Sequence, residues 1–526
     1  MDRKCPDVYS AKGLPLADEP PLLLTCLRTS RQGVRLFSRF LNVFTGVFLK
    51  ANIARLTTIL LFVLSSVSAF AQALDPDLDA IEEHVLRTLE RDRVPGAAIA
   101  IVRRSQVLFL QGFGEDGRGR PVYEDTCFVI GSMSKAFTAL VAMRLIETGR
   151  LSLDSSVGAT LSELSDMSGG VWHDITLRQL LTHTSGVPTR TPVLQPDASL
   201  ARYVESLADV ELNGPSTERH AYSSANYLLA ARMLETVTGT PFDILLADQV
   251  FAPLGIEQSR ARNDECRSAG HQYWFVWPRP DDRPSEPGRL ATAGITVSVA
   301  EMARFLQFQL GERVWEQETI LSAAGLAEMH NGTAQGDGFT YGLGWRNVDL
   351  AGIRSVQHGG VLPGFRGKMI LLPEHDAAVV VLTNASSALP LPIQPTSHRL
   401  ANDIALHLAG GPLGLPKSGY RTWLILFWSG LGLVLIHQTA TFVRIAIGRD
   451  PARHPLRSAA ADIAMVFAIV FALPWAIGLS LRSIVVQTPD LTLWLAAMST
   501  MAVCATVIRV FRARADSPRA PDSPDT

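Results

Sequence analysis

The stretch that most constrains this chain spans residues 127–149 and reads CFVIGSMSKAFTALVAMRLIETG. It predicts an apolar strand end, a Gly-Ser turn and a helix stopped by Gly149. Over 136–143 the only polar residue is Thr138, so a helix there has no side suited to water and belongs inside a domain. A lone lysine, Lys135, stands in its first turn, and Ser132 precedes it by three residues. That spacing puts both side chains on one helix face, with Cβ atoms ~5–6 Å apart. An amine in apolar surroundings loses hydration, which disfavours its charged form. A neutral amine beside a hydroxyl makes an activated serine nucleophile. The start of a helix also offers free N–H groups and a positive dipole end to a developing oxyanion.

Between Lys50 and Lys368 the only lysine is Lys135, while arginines occur throughout. Arginine stays protonated at any working pH and lysine need not, so this isolated lysine is fitted for proton transfer. S-x-x-K is short and recurs by chance, so the surrounding architecture has to supply its meaning.

The chain has 526 residues, room for two or more domains, and a net charge of −2. No basic surface is expected, and nucleic acid is not an expected partner. The five cysteines, Cys5, Cys26, Cys127, Cys266 and Cys504, form no C-x-x-C pair. Cys127 and Cys266 could pair in an oxidising compartment, but nothing in the sequence supports it. The twelve histidines are dispersed, without H-x-H or H-E-x-x-H, so neither a metal nor another cofactor is expected.

Both ends carry apolar segments. Lys50 and Arg55 precede LTTILLFVLSSVSAFAQA, a basic region, an apolar core and an A-x-A site, as in a secretory signal. Residues 51–73 are expected to be that signal or an uncleaved anchor, behind an extension at 1–50. Met1 is the only methionine before Met133, so a missed non-AUG start is the other reading of that extension. Near the C-terminus, 423–443, 459–481 and 491–511 are each long enough to cross a bilayer core of ~30 Å. The loop after the first run carries Arg444, Arg449, Arg453 and Arg457, and the tail Arg509, Arg512, Arg514 and Arg519. The loop after the second run carries only Arg482. Positive-inside asymmetry then predicts three spans within 422–512, a cytoplasmic loop and a cytoplasmic tail (513–526). The segment before the first span then falls outside, which agrees with the signal.

Residues 74–412 read as one body, followed by a Gly/Pro-rich linker at 413–421. An amphipathic helix is expected at 78–91. VPGAAIAIVRR (94–104) and SQVLFLQGFG (105–114) predict a hairpin. From 151 to about 290 the pattern is mainly helical. Strand signals return at 368–373 and 377–384, and a last helix is expected over about 392–408. Strands from both ends with a helical block between them imply an α+β domain: an antiparallel sheet flanked by helices, built from sequence-distant pieces, with a mainly helical insert.

Three further stretches bring polar candidates. In RHAYSSANYLLAARMLETVTG (219–239), Tyr222 precedes a helix and is either a phenolic base or an ordinary half-buried tyrosine. In SVQHGGVLPGFRGKMILLP (355–373), His358-Gly359-Gly360 opens a strand, where glycines admit a ligand close to the backbone and the histidine is a turn residue or a ligand contact. In ITLRQLLTHTSGVP (175–188), His183 reads as a structural loop residue. The aromatics Trp274, Phe275 and Trp277 suit a substrate rim, a core or a loop resting on a membrane.

IGSMSKAFTA, YSSANYLL and HGG, in this order, resemble the three active-site motifs of the serine β-lactamase-like and penicillin-binding-protein-like hydrolases. The closest branch holds class C β-lactamases, D-amino-acid peptidases and related esterases. VPGAAIAIV, LLTHTSGVP, ITVSVAEMARFL, YGLGW and VVVLTN are similar to that family too, and the resemblance covers about 78–408. It implies Ser132 as acylated nucleophile, Lys135 as its proton acceptor, and Tyr222 as partner in proton transfer to the leaving group and from the deacylating water. It also implies a substrate-facing strand at His358, Gly359 and Gly360, and an oxyanion hole from the backbone N–H groups of Ser132 and Val361. One position departs: the second motif usually reads Tyr-x-Asn, and Ser224 holds its third place. Serine reaches less far and lacks the paired donor and acceptor of an amide. Histidine where many members have lysine weakens the fixed charge that holds a β-lactam carboxylate.

The sequence thus leads to the expectation of a membrane-tethered serine hydrolase. Its partners would be a small acyl substrate, a cell-wall peptide or, less readily, a β-lactam. The alternative is a receptor acylated by a cell-wall fragment that signals through its spans.

Overall fold

The computed structural model describes residues 76–515 apart from 166, 190, 192–197, 208–209, 215–218, 258–265, 284–286, 312–313, 316–317, 388, 390–393, 415–418, 450–454, 473–483 and 486–487. The N-terminal extension, the signal segment and the end of the tail lie outside the described residues.

A sheet of eight strands forms the frame. In spatial order it runs Gln106–Gly114, Gly96–Arg103, Ala377–Thr383, Phe365–Leu372, Ile353–Leu362, Arg346–Leu350, Phe339–Tyr341 and Ala334–Gly336. Neighbours are antiparallel throughout. The first strand pairs with a strand near the other end of the domain, Ala97 opposite Thr383 and Ile99 opposite Val381. This is the closure expected from strands at both chain ends.

The central strands are apolar on both faces because both faces are covered. Strand side chains alternate sides. In Gly96–Arg103, Ala97, Ile99 and Ile101 join the core under the helices Leu78–Asp92 and Thr396–Leu408. Ala98, Ala100 and Val102 join the larger core shared with the helical block. That second face carries the helices Ser134–Glu147, Ser224–Thr238 and Val299–Gln309. Asp77 caps the helix Leu78–Asp92 by accepting the Ala80 N–H at 2.9 Å. Ser298 and Glu301 close a capping box on Val299–Gln309.

Cys127 and Cys266 are joined in a disulfide with Cα atoms 5.2 Å apart. The sequence held no support for this pairing, because it depends on a parallel bridge between Cys127 and Arg267 that only the folded chain creates.

The membrane region differs from expectation. Among the described residues two helices, not three, are long and apolar enough to cross a bilayer: Tyr420–Ala446 and Pro489–Ala515. The middle segment forms a helix over Pro455–Phe467 that widens into a π turn at Ala468–Ala472, and its continuation lies outside the described residues. The first helix also begins inside the expected linker. Arg509 pairs with Asp462 between the last helix and the middle one, so that carboxylate has a countercharge.

The catalytic body and these helices share one packed junction. A hairpin of Gly270–Trp274 and Trp277–Asp281 reaches them with its tip. Phe275 stacks edge-on against Trp428 at 4.6 Å, and its N–H donates to Asp490 Oδ2 at 2.7 Å. Phe275 packs on the apolar C-terminal helices, a contact outside the three readings open for these aromatics. Trp277 lies under the Arg93 guanidinium at 3.8 Å.

Candidate active site

Ser132 sits in a single 3-10 turn, Gly131–Met133, between the short strand Cys127–Val129 and the helix Ser134–Glu147. Every residue of that helix from Ser134 to Met143 is buried, as its apolar run demands. Ser132 itself is partly exposed. Neighbouring Ser134 is fully buried, and its hydroxyl accepts the Ile295 N–H at 3.2 Å, so it is committed to the core.

Lys135 is wholly buried. Its Nζ donates to Ser132 Oγ at 3.3 Å and to the Thr292 carbonyl at 2.8 Å. Thr292 belongs to a π turn, Leu290–Gly294, which no sequence pattern announces. Without that carbonyl the amine would be a buried donor with one partner.

Tyr222 arrives from the loop before Ser224–Thr238. Its hydroxyl is 2.8 Å from Ser132 Oγ, and Lys135 Nζ lies 5.0 Å from its ring centre. Burial raises the phenol pKa, but the Lys135 charge and the hydrogen bonds from Lys135 and Ser132 outweigh it, so the net shift is downward. A phenol lowered in this way can accept a proton at lower pH than a free tyrosine.

The structure explains how Tyr222 is aimed. His183, left-handed at φ 60°, closes the helix Leu177–Thr182. Its carbonyl accepts the Ala221 N–H at 2.8 Å, and its Nδ1 accepts the Ser223 N–H at 3.3 Å. Its ring lies 4.5 Å from the Tyr222 ring. His183 thus holds Tyr222 from both flanking peptides, which gives its structural role a specific object. Burial, then the charges of Lys135 and its neighbours, keep its pKa well below the ordinary histidine value.

Ser224 is exposed at the first position of its helix. The nearby amide, Asn226, cannot replace it: Asn226 is fully buried, accepts from Ser185 Oγ at 2.7 Å and meets His183 Nδ1 at 3.1 Å.

His358 lies on the inner face of Ile353–Leu362 and is only 3% exposed. Its Nδ1–H donates to the Gly359 carbonyl at 2.8 Å, so Nε2 is left to accept from Tyr341 Oη at 3.0 Å. Both ring nitrogens are therefore occupied within the protein. Burial, then Arg346 and Lys135, push its pKa down to about 3, so the ring is neutral at ordinary pH. The glycines beside it serve packing. A Cβ on Gly359 would lie 2.6 Å from His398 Nε2, and one on Gly360 only 1.9 Å from the Ile130 carbonyl oxygen. The Cβ positions of both glycines are thus taken up by the protein itself.

That tight contact builds the far side of the site. Gly131 has φ +58°, and a Cβ there would be 2.7 Å from the Val361 nitrogen. Two glycines from distant segments thus bring the Ser132 turn and the Val361 peptide together, with Val361 41% exposed beside the cleft.

Two groups here escaped the sequence reading. Tyr341 opens the YGLGW phrase and fixes the His358 tautomer. Arg346 directly follows that phrase, stacks over Phe339 at 4.6 Å, and its charge lowers the pKa values of both Tyr222 and His358. No periodicity marks it, because it stands at a strand start. Among the described residues, no cluster of His, Cys, Asp or Glu could hold a metal ion.

The Beta-lactamase family model matches residues 77–401. The chain belongs to the beta-lactamase family. It is 30% identical over 312 residues to penicillin-binding protein 4 of Amycolatopsis lactamdurans, covering 56% of this chain and 82% of that protein. It is 25% identical over 321 residues to protein flp of Staphylococcus aureus, covering 59% of this chain and 63% of the relative. The chain therefore spans less than two thirds of the latter's length. Among solved structures, the octameric penicillin-binding protein homologue from Pyrococcus abyssi superposes with TM-score 0.55 at 24% identity, over 64% of this chain and 78% of that one. The beta-lactamase/D-alanine carboxypeptidase from Pseudomonas syringae gives 0.53 at 20% identity, over 63% and 98%. These likenesses establish the α+β fold.

Proposed function

We propose that this beta-lactamase family member is a membrane-tethered serine hydrolase that works through an acyl-enzyme on Ser132. Lys135 takes the Ser132 proton as Oγ bonds to the acyl carbon. The Ser132 and Val361 N–H groups receive the oxyanion. Tyr222, in contact with the same hydroxyl, passes a proton to the leaving group and then takes one from the deacylating water. The observation that carries this reading is a partly exposed Ser132 Oγ with Tyr222 Oη at 2.8 Å and Lys135 Nζ at 3.3 Å. The preferred substrates are small esters and D-amino-acid peptides. A neutral, occupied His358 gives a β-lactam carboxylate no fixed charge, which ranks β-lactam amides last.

In this reading the catalytic domain faces away from the cytoplasm. The Cys127–Cys266 disulfide supports an oxidising compartment, and the two long apolar C-terminal helices support a membrane anchor. A second reading, an acylated receptor, draws support from the hairpin that touches the membrane helices. Its base packs on the turn at Gly364, next to the Val361 strand, with the His271 N–H 3.4 Å from the Gly364 carbonyl.

Labelling with a fluorophosphonate or a fluorescent penicillin, followed by peptide mass spectrometry, tests the nucleophile. The label is expected on Ser132; equal labelling of a Ser132→Ala variant would refute the assignment. Multiple turnover of an ester or a D-alanyl peptide separates the hydrolase from a receptor that acylates once.

A further inference from the structure

We propose that the hairpin 270–281 and the start of the first C-terminal helix together bind the headgroup of an anionic phospholipid, its phosphate held by Arg93 and Arg421 around the Trp277 indole. The proposal rests on the membrane reading of the C-terminal helices and not on the catalytic one.

Two guanidinium groups share one aromatic ring here. Arg93 lies 3.8 Å and Arg421 5.8 Å from the centre of the Trp277 ring. Arg93 takes the left-handed conformation that ends the helix Leu78–Asp92, at φ 53°, and its carbonyl accepts the Tyr273 hydroxyl at 3.3 Å. Its backbone is thereby fastened to the hairpin. Arg421 is the second residue of the helix Tyr420–Ala446, and its Nε is buried without a hydrogen-bond partner. The acid beside Arg93 in the chain, Asp92, is already taken: Arg91 at 3.3 Å, Arg399 at 2.8 Å and the Thr396 hydroxyl at 2.8 Å hold its oxygens. Among the described residues, neither Arg93 nor Arg421 forms an ion pair. Arg279 adds a third charge, exposed on the same face of its strand as Trp277. Like charges gathered at one spot repel until an anion joins them.

The apolar half of the patch selects the anion. Phe275 and Trp277 are 43% and 50% exposed. Phe275 stands in the two-residue turn of the hairpin with φ 57°, a conformation usual for glycine and costly for a bulky side chain. Asp490 holds it there by accepting its N–H, and the ring meets Trp428. Trp428 lies just over two turns after Tyr420, ~12 Å along the helix axis. The hairpin tip therefore reaches past the start of a helix long and apolar enough to cross a bilayer. Exposed aromatic rings beside arginines are the side chains of a membrane–water interface. A soluble phosphate would engage the arginines and leave the rings in water, whereas a lipid engages both. Arginine pairs its N–H groups with phosphate oxygens, and the uncompensated positive charge favours an anionic headgroup over a zwitterionic one.

The hairpin connects this patch to the cleft. At its base, a Cβ on Gly270 would lie 2.6 Å from the Gly364 carbonyl oxygen, in the turn that follows Val361. A headgroup at the tip thus restrains the same hairpin that abuts the turn beside Val361.

The test uses the full-length chain in detergent, titrated with phosphatidylglycerol or phosphatidylcholine of identical acyl chains and read by native mass spectrometry. One phosphatidylglycerol should be retained in preference to phosphatidylcholine. Arg93→Gln combined with Arg421→Gln should weaken that retention at least about tenfold, as for a lost hydrogen bond to a charged group, and Trp277→Leu should weaken it less. In the unaltered protein, a phosphatidylglycerol with a diazirine in its headgroup should crosslink to the hairpin or to the first turn of Tyr420–Ala446, a readout that needs no variant. Equal retention of the two lipids, retention unchanged in the double variant, or crosslinks confined to later parts of the helices would each overturn the proposal. Displacement of the lipid by inorganic phosphate at equal concentration would reassign the patch to a soluble anion and overturn it as well. Recovery of the chain in solution without detergent or lipid would instead overturn the membrane reading on which the proposal stands.

Discussion

Ser132 and Tyr222, 90 residues apart in the chain, bring their hydroxyl oxygens to 2.8 Å. Nothing between them in sequence is regular enough to set that distance. It comes from His183, which holds the peptides on either side of Tyr222. It also depends on Lys135, which lies under the Tyr222 ring and donates to Ser132.

Lys135→Arg should be nearly as damaging as Ser132→Ala, although it keeps the charge. Arginine cannot accept the Ser132 proton. General-base assistance is worth ~10²–10⁴ in rate, so single-turnover acylation should fall at least in that range. Retention of activity within about tenfold of the unaltered protein would leave Lys135 only an orienting charge.

Tyr222→Phe keeps the ring against His183 and removes only the hydroxyl. Acylation needs a protonated Tyr222 to serve the leaving group, so kcat/KM falls as pH rises through the Tyr222 pKa. That pKa lies below its ordinary value of 10.0, so the limb falls below pH 10. The phenylalanine variant should lose the limb and ~10²–10⁴ in rate. An unchanged pH profile would assign the limb elsewhere.

His358 titrates at about 3 in the folded chain, against 6.5 when unperturbed. On acidification the unfolded chain therefore takes up this proton first. The stability held by the neutral ring is complete above about pH 6.5 and is lost progressively down to about pH 3. Each pH unit in that window costs up to ~1.4 kcal/mol. Midpoints of thermal unfolding between pH 7 and about pH 4 should drop less steeply for His358→Gln than for the unaltered protein. Parallel curves would show that His358 does not carry this dependence.

Reporter fusions decide the membrane count. With three spans, fusions at Asp450 and after Phe511 behave as cytoplasmic, and one near Leu415 as exported. With only the two described helices crossing, the fusion after Phe511 becomes exported while that at Asp450 stays cytoplasmic.

Local patterns revealed the parts whose chemistry is local. The helix behind Lys135, the hairpin at 94–114 and the two strands near 368–384 all follow from runs of apolar residues. The helix Thr396–Leu408 was legible except for its start, since nothing marked Pro395 as the last extended residue. What stayed hidden depends on contact between distant segments. The purpose of Gly359 is visible only once His398 is seen over it, and that of Gly360 only against the Ile130 carbonyl. The engagement of His358 by Tyr341, the Thr292 carbonyl on Lys135 and the Cys127–Cys266 bond are of the same kind. The middle membrane segment reads as a continuous apolar run; among the described residues it is an α-helix to Phe467 and then a π turn at Ala468–Ala472.

The pairing of Gly96–Arg103 with Ala377–Thr383 has a consequence for biosynthesis. A strand synthesised early finds its second neighbour only when almost the whole domain has been made. Until then one apolar edge stands open, a template for misassembly that chaperones would have to shield. The first membrane helix begins at Tyr420, shortly after that closing strand. Completion of the sheet and emergence of that helix are therefore neighbouring events on the ribosome's clock. A chain truncated before Ala377 would lack its central strand, and no length of incubation would let it close.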